Sequence, residues 1–576
     1  IEKLEEAMRN EEKEEVSKKI AQDSLILLKN DGVLPIKKGT KIAVIGPHAD
    51  SLRYPVSGYT YPAYIEMMDA GRKNNASVTF NGIADEQAKA EKEKAPKGPF
   101  ETLFDMLDEE DVKQLDDMNG VLRTLHTRSL KEVLSDRFET VYAQGCDIIG
   151  TSEEGFSDAV KAANESDVVV MALGGNCGWV NVTGGEGKDR QSLELPGVQE
   201  KLLETVAATG KPVVLVLYGP GIFSVNWAVE NVAGIVQAWM PGPFAGEAVT
   251  NVLDGNFNPG GKLNVTIPRS AGQIPIFYNH KNGSGYASGS DATSAAIFSG
   301  GYTDGLGTPL YPFGYGLSYT EFALDHFKIE KTEIPTDGKI EVSCTVSNIG
   351  AVAGDEVVQL YVHKKGSRVQ RPIRQLVGFE RIHDIQPKET RKVTFMVQLW
   401  ELEYYDVISE RMILEEGTYQ FMAGASSQDI RLEQSIEIDG THAGKRNPFQ
   451  ATAADCYDAY DHMFLHRGIN GSSCVIPGCA GDDPDEMKEQ PVSGKLIYHD
   501  FVFSKKPLRL NITLKVLEPV KVTVTGKNVA TVTAEPVDCY RMLEMDLPEN
   551  FIETGKPETI QIQVEGKCKI SKFVFA

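Results

Sequence analysis

The alternation of short apolar strands with amphipathic helices between residues 41 and 253 narrows the available folds more than any other feature. Residues 41–46 (KIAVIG), 167–173 (DVVVMAL), 212–217 (PVVLVL) and 234–239 (GIVQAW) are apolar runs of strand length, and 138–142 (FETVY) is a weaker one. Strands apolar on both sides are those covered on both faces of a sheet. Between them, residues 157–164, 195–209, 227–231 and 246–253 space their apolar side chains as helices do. This order predicts an α/β sandwich with a mostly parallel sheet. Residues 1–30, rich in Glu, Lys and Ala, predict a helix whose apolar patch is Ile20, Leu25, Leu27 and Leu28, ended by a turn at Asn30, Asp31 and Gly32. The charged stretch 69–135 reads as a helical insertion.

Near Phe327 the helical period disappears. Residues 339–347, 355–364 and 392–397 alternate polar and apolar side chains, as half-buried antiparallel strands do. The expected architecture is multidomain: an α/β sandwich domain over 1–325, then two all-β sandwich domains. The first of these spans 326–438 and the second 449–576, joined by a polar linker at 439–448.

With 576 residues, the chain has room for three or four such units. A net charge of −23 repels phosphate backbones, so no nucleic-acid partner is expected. No apolar run is long enough to cross a bilayer, so no membrane partner is expected either. The eight cysteines form no CxxC pair and no zinc-type cluster with histidine. Their spacing suits free thiols and a cytoplasmic setting, with secretion as the alternative and room for one unassigned disulfide among the last five. No metal or organic cofactor is implied. No signal peptide is visible, and the first residue is Ile1 rather than Met, which leads us to expect a further segment upstream or on another chain.

Chemistry concentrates in residues 174–196, GGNCGWVNVTGGEGKDRQSLELP, directly after the strand at 167–173. Loops at the carboxyl ends of strands are where open α/β sheets contact ligands. Glycines on both sides let the backbone project Glu186 outward, and a carboxyl so placed can protonate a leaving oxygen. The alternative is a solvated surface loop in which a glutamate is unremarkable. Trp179 in the same loop is a candidate to stack on a sugar face. Asp189 beside Arg190 reads as a structural pair that pins the loop, with Asp189 and Arg190 kept as candidate substrate-binding residues. His48 and Asp50 follow the first strand and read as a turn with solvated polar groups. Trp227, Trp239 and Trp400 read as core, as do Tyr457, Tyr460 and Tyr540. The chain has no GxSxG elbow, P-loop or HExxH helix.

Several ordered motifs resemble glycoside hydrolase family 3. They are SLILLKNDGVLP at 24–35 with KIAVIGP at 41–47, GEGKDR at 185–190 with LELP at 193–196, AWMPG at 238–242 and AGEAV at 245–249. NPGGKL at 258–263 and PLYPFGYGLSYT at 309–320 follow, then TVSNIG, GDEVVQLY and GASS between 345 and 427. The resemblance implies an α/β sandwich followed by a fibronectin type III-like domain, and retaining hydrolysis of β-glycosides. It makes Glu186 the general acid/base and a β-linked oligosaccharide or aryl glycoside the substrate. Such proteins also carry a (β/α)8 barrel with the nucleophilic aspartate, and this chain starts at the sequence that would follow it. The nearest string to the nucleophile motif, Ser135-Asp136-Arg137, lacks its tryptophan and strand context and is rejected. A barrel segment or subunit is therefore the implied partner. The stretches ADCYD (454–458), LIYHDFVF (496–503) and ISKFVF (570–575) resemble a family 6 carbohydrate-binding module. A non-catalytic carbohydrate-binding or structural partner protein is the alternative reading.

Overall fold

The computed structural model describes residues 11–74, 117–186, 188–281, 302, 304–330, 338–407, 411–440, 446–467, 473–478 and 492–576. The α/β region comprises, in chain order, α1 (Glu11–Asp23), β1 (Ile26–Asn30), β2 (Lys41–Ile45), α2 (Tyr61–Asn74), α3 (Met118–Thr124), α4 (Leu130–Ser135) and β3 (Glu139–Ala143). It continues with α5 (Phe156–Asn164), β4 (Val168–Gly174), α6 (Gln199–Ala207), β5 (Val213–Tyr218), α7 (Asn226–Asn231), β6 (Gly234–Trp239) and α8 (Ala245–Leu253). The six strands form one sheet in the order β1-β6-β5-β4-β2-β3. All neighbours run parallel except β1, which lies antiparallel to β6.

Both faces of the sheet are buried, as the unbroken apolar runs predict. One face packs Val169, Met171, Leu215 and Ile235 under α5, α6 and α7, through Ala159, Leu202, Val206 and Ala228. The other packs Val44, Val170, Val216 and Val236 under α1, α4 and α8, through Ala21, Leu134 and Val249. Helix α4 starts with a capping box in which Ser129 and Glu132 each satisfy the other's backbone N–H.

Two expectations change. Leu25, Leu27 and Leu28 do not extend the first helix. The helix ends at Asp23 and Ile26–Asn30 forms the edge strand β1, its apolar side chains buried on both sides. Two-sided burial selects a strand here over the helical spacing of the patch. The helical insertion predicted over 69–135 is also too wide. Residues 75–116 lie outside the described residues, but Leu130, Val133 and Leu134 of α4 are buried, so this helix belongs to the layer that covers the sheet.

The region 322–438 holds a β-sandwich of two sheets around one core. The strands of these sheets are β7 (Phe322–Glu330), β8 (Lys339–Asn348), β9 (Gly354–Lys364), β10 (Gln375–Ile385), β11 (Thr390–Gln398), β12 (Gly417–Gly424) and β13 (Ile430–Ile438), in the orders β10-β9-β12-β13 and β11-β8-β7. The motif at 309–320 joins the two units. Gln359, 3% exposed, donates to the Gly314 carbonyl at 3.0 Å, and Lys262 meets Glu356 at 2.8 Å with both side chains at most 10% exposed. Trp400, read as core, is 63% exposed beside this sandwich. Its neighbours Leu399 and Leu402 are the ones that turn inward.

A second two-sheet β-sandwich occupies the C-terminal region around a separate core rich in Phe, Ile and Val. Arg446, in the stretch read as a polar linker, is 3% exposed. It stacks over Tyr498 and pairs with Asp458. Asp458 also binds Arg368 of the preceding sandwich at 2.7 Å, so one carboxylate fastens the two β units together. Tyr460 and Tyr540, expected in the core, are 58% and 47% exposed, whereas Tyr457 packs against the core. Cys146, Cys177, Cys344, Cys474, Cys539 and Cys568 are free thiols.

The buried Lys262–Glu356 pair makes the α/β region and the first sandwich depend on each other. Glu356→Gln should lower the stability of that junction by about 3 kcal/mol, because it strands a buried ammonium. The double change to Met and Leu should recover most of the loss. Urea unfolding followed by intrinsic fluorescence checks this, and equal midpoints for all three proteins would refute it.

Asp458 gives an acid-sensitive junction. Burial alone pushes its carboxyl up, but bonds from Arg446, the His499 backbone and Arg368 outweigh that and hold it below the usual range. A folded-state value below the unfolded value of about 3.9 stabilises above that pH and is lost as pH falls through the lower value. Asp458→Asn should therefore unfold at lower denaturant at pH 7 and lose less further stability than wild type between pH 5 and 2. Parallel acid limbs would contradict this.

Candidate active site

The strand order places a topological switch between β2 and β4: the chain leaves β2 for β3 on one side and returns to β4 on the other. The loops leaving the carboxyl ends of these two strands therefore diverge, and open α/β sheets use that crevice for ligands. The loop after β2 carries Tyr59. The loop after β4 carries Glu186.

The end of β4 is held tightly. Gly174 has φ +138°, and a Cβ there would fall 1.8 Å from the Tyr218 carbonyl oxygen, so no other residue fits without moving β5. Buried Gln199 accepts from the Gly174 N–H at 2.7 Å and donates to the Gly174 and Ile148 carbonyls at 2.8 Å each. One side chain thus satisfies three backbone groups where the strand ends. Beyond it the loop folds on itself. The Asn176 N–H donates to Thr183 Oγ1 at 2.9 Å, the Thr183 N–H donates to the Asn176 carbonyl at 3.0 Å, and the Asn176 amide donates to the Val180 carbonyl at 2.8 Å.

At the tip, Gly185 and Lys188 exchange two backbone hydrogen bonds of 3.1 Å, closing a hairpin that presents Glu186. Glu186 is exposed. Tyr59, 75% exposed, places its hydroxyl 2.5 Å from Glu186 Oε2. The two residues line a small hollow with Gly58, Cys177, Trp179 and Lys188.

Beneath them lies an ion pair that the sequence did not reveal. Arg53 meets Glu66 of α2 at 2.9 Å, with side chains only 8% and 13% exposed. Arg53 also donates to the carbonyls of Val56 at 2.7 Å and Cys177 at 3.3 Å, and Glu66 accepts from the Trp179 N–H at 3.2 Å. A Cβ on Gly178 would come within 2.5 Å of both Arg53 and Glu66. The pair therefore fastens the loop after β2, helix α2 and the loop after β4 into one block. Tyr59, Arg53, Glu66 and Gln199 carry no local motif, since each acts on a partner far away in the chain.

The other candidates fall as follows. Trp179 is half-buried against Ile65, Met67 and Met68, with part of it lining the hollow. Arg190 does not pair with Asp189 among the described ion pairs. Its guanidinium lies 4.6 Å over the Phe223 ring and donates to the Glu194 carbonyl, bracing the far limb of the loop, while Asp189 is exposed. Burial holds the Arg190 pKa below its ordinary value. His48 is not solvated. It is 1% exposed and stacked on Tyr218 at 5.0 Å, and burial pushes its pKa down to about 3, leaving a neutral ring that packs the carboxyl end of β2. Asp50 accepts from Ser129 at 2.8 Å and meets Lys131 at 2.5 Å, on the α4 side of the sheet. Among the described residues no cluster of His, Cys, Asp and Glu could hold a metal ion.

Residues 25–319 match the glycosyl hydrolase family 3 C-terminal domain, and residues 356–427 match the fibronectin type III-like domain. A β-xylosidase of Formosa agariphila is 35% identical over 426 residues, covering 73% of this chain and 49% of the relative. A periplasmic β-glucosidase of Salmonella typhimurium is 30% identical over 425 residues, with the same two coverages. The crystal structure of a β-glucosidase from Listeria innocua in complex with isofagomine superposes with a TM-score of 0.58 at 26% identity, over 76% of this chain and 51% of that one. The chain spans about half the length of the relatives it matches. With more than half of its residues matched by the family's C-terminal domain and the expected sheet in place, the chain belongs to glycoside hydrolase family 3.

Proposed function

We propose that this chain supplies the acid/base half of a retaining β-glycosidase, with Glu186 as the acid/base and the nucleophile on a (β/α)8 barrel carried by another segment or chain. The observation that carries this reading is the exposed Glu186 carboxyl at the tip of a closed hairpin, over a braced block at the topological switch of the sheet. The relatives named as β-xylosidase and β-glucosidase support a terminal β-D-glycoside as substrate, either an oligosaccharide or an aryl glycoside.

Retaining hydrolysis needs two carboxyl groups about 5–5.5 Å apart on either side of the anomeric carbon. In the first step the nucleophile forms its bond to that carbon while the bond to the aglycone oxygen breaks, and Glu186 gives its proton to the departing oxygen. In the second step Glu186, now a carboxylate, takes a proton from water as the water oxygen displaces the nucleophile. Asp136 does not supply the missing carboxyl. It caps the end of α4 and meets Arg128 at 2.7 Å. Substrate contacts by Trp179, Asp189 and Arg190 belong to the same reading. Trp179 is best placed of the three, since it lines the hollow beside Glu186.

The test is hydrolysis of aryl β-glucosides and β-xylosides by this chain together with its barrel. Glu186→Ala should cut turnover of substrates with poor leaving groups by roughly 10²–10⁴-fold. Azide should restore turnover of an activated aryl glycoside and release the β-glycosyl azide, because a small anion needs no base to attack the glycosyl-enzyme. Full turnover by the variant without azide would overturn the assignment. Binding of gluco- or xylo-oligosaccharides without any turnover by the wild-type assembly would favour a non-catalytic carbohydrate-binding role.

A further inference from the structure

We propose that Tyr59 is a positioning residue for Glu186: by donating to Oε2 it reserves that oxygen as an acceptor and leaves the transferable proton to Oε1. This rests on the acid/base reading of Glu186 and adds to it the question of which oxygen does the work.

The geometry supports it first. The Tyr59 hydroxyl is 2.5 Å from Glu186 Oε2, and among the described residues it is the one hydrogen-bond partner of that carboxyl. The two residues are 127 positions apart, so the contact is made by the fold and not by a turn. It is also braced. Gly58 lies so close to Cys177 that an added Cβ would sit 2.8 Å from the sulfur, and the Arg53–Glu66 pair ties both loops together just below. Without this bond Glu186 would be a flexible side chain on the tip of a hairpin, free to turn either oxygen outward.

The chemistry follows from counting donors. A carboxylate only accepts hydrogen bonds, so the phenol must donate. When the carboxyl takes up a proton, the oxygen that already holds a donor serves as the carbonyl oxygen, and the proton goes to the other one. The phenol thus donates to Oε2 in both protonation states, and Oε1 alone alternates between holding a proton and accepting one. Tyr59 has to keep its own proton to do this. The bond to Glu186 is the main influence that holds its pKa above the ordinary phenol range, so it remains a donor throughout the working range of a glycosidase.

Tyr59→Phe removes a single oxygen from a residue that is 75% exposed, leaving the ring and the fold in place. In the chain assembled with its barrel, the variant should lose about tenfold to a hundredfold in kcat/KM on alkyl β-glycosides, which need the proton, with little change in KM. It should match wild type in kcat/KM on 2,4-dinitrophenyl glycosides, whose leaving group departs without one. On the chain by itself, ¹³Cζ-tyrosine NMR should show the Tyr59 signal, identified by its loss in Tyr59→Phe, titrating above the exposed tyrosines. It should move back towards them in Glu186→Gln. Wild-type behaviour of Tyr59→Phe on both substrate classes, or an equal loss on both, would overturn the positioning role while Glu186→Gln still abolishes alkyl-glycoside hydrolysis. Intact hydrolysis by Glu186→Gln would instead remove the acid/base reading, and this proposal with it.

Discussion

Everything at the candidate site depends on β2 and β4 lying side by side and parallel at the centre of a sheet buried on both faces. That pairing brings two loops together whose residues are more than a hundred positions apart. The register runs from Ile42 opposite Val168 to Ile45 opposite Met171, and every side chain between them is covered by a helix layer. Interior packing of this density resists small shifts, so the strand ends form a fixed base for the loops above them. Polar groups then transmit that rigidity upward. Gln199 closes the end of β4, and Arg53 with Glu66 locks the first turns of both loops.

A clear division results between what is buried and what is presented. The buried elements of the site are close-packed and intolerant of added atoms, as Gly174 and Gly178 show. The presented elements, Tyr59 and Glu186, are exposed and held mainly by each other. In the role proposed for it, Glu186 would have to stand clear of its own domain to approach a sugar held elsewhere. That role would also need a fixed orientation, which a hydrogen bond between two exposed groups supplies without burying either.

The sheet was legible in the sequence because burial on both faces leaves an unbroken apolar run, a signal that survives without knowledge of neighbours. The β-sandwiches were legible through their period of two. The edge strand Ile26–Asn30 was not, because five apolar-rich residues following a helix satisfy both templates, and only pairing with Gly234–Trp239 decides between them. Trp400 and Tyr460 failed for a related reason: residue type favours the interior, while the side on which a strand or turn faces solvent is set by the tertiary fold. At the site, Glu186 was visible through its glycines, a local signal. Tyr59, Arg53, Glu66 and Gln199 were invisible because each works through a partner brought close by topology.

The β units bear on a hollow that none of their described residues lines. Lys262 with Glu356, and Gln359 with Gly314, tie the first sandwich to the α/β region, and Tyr315 in turn packs on the core under β1 and donates to the Leu28 carbonyl at 3.3 Å. The edge of the α/β sheet is therefore capped by the chain segment on which the sandwich is docked. An uncapped edge strand is a site for slippage or unwanted pairing. Docking the sandwich brings that segment onto the edge strand, so it supports the sheet beneath the candidate site from the side opposite β3.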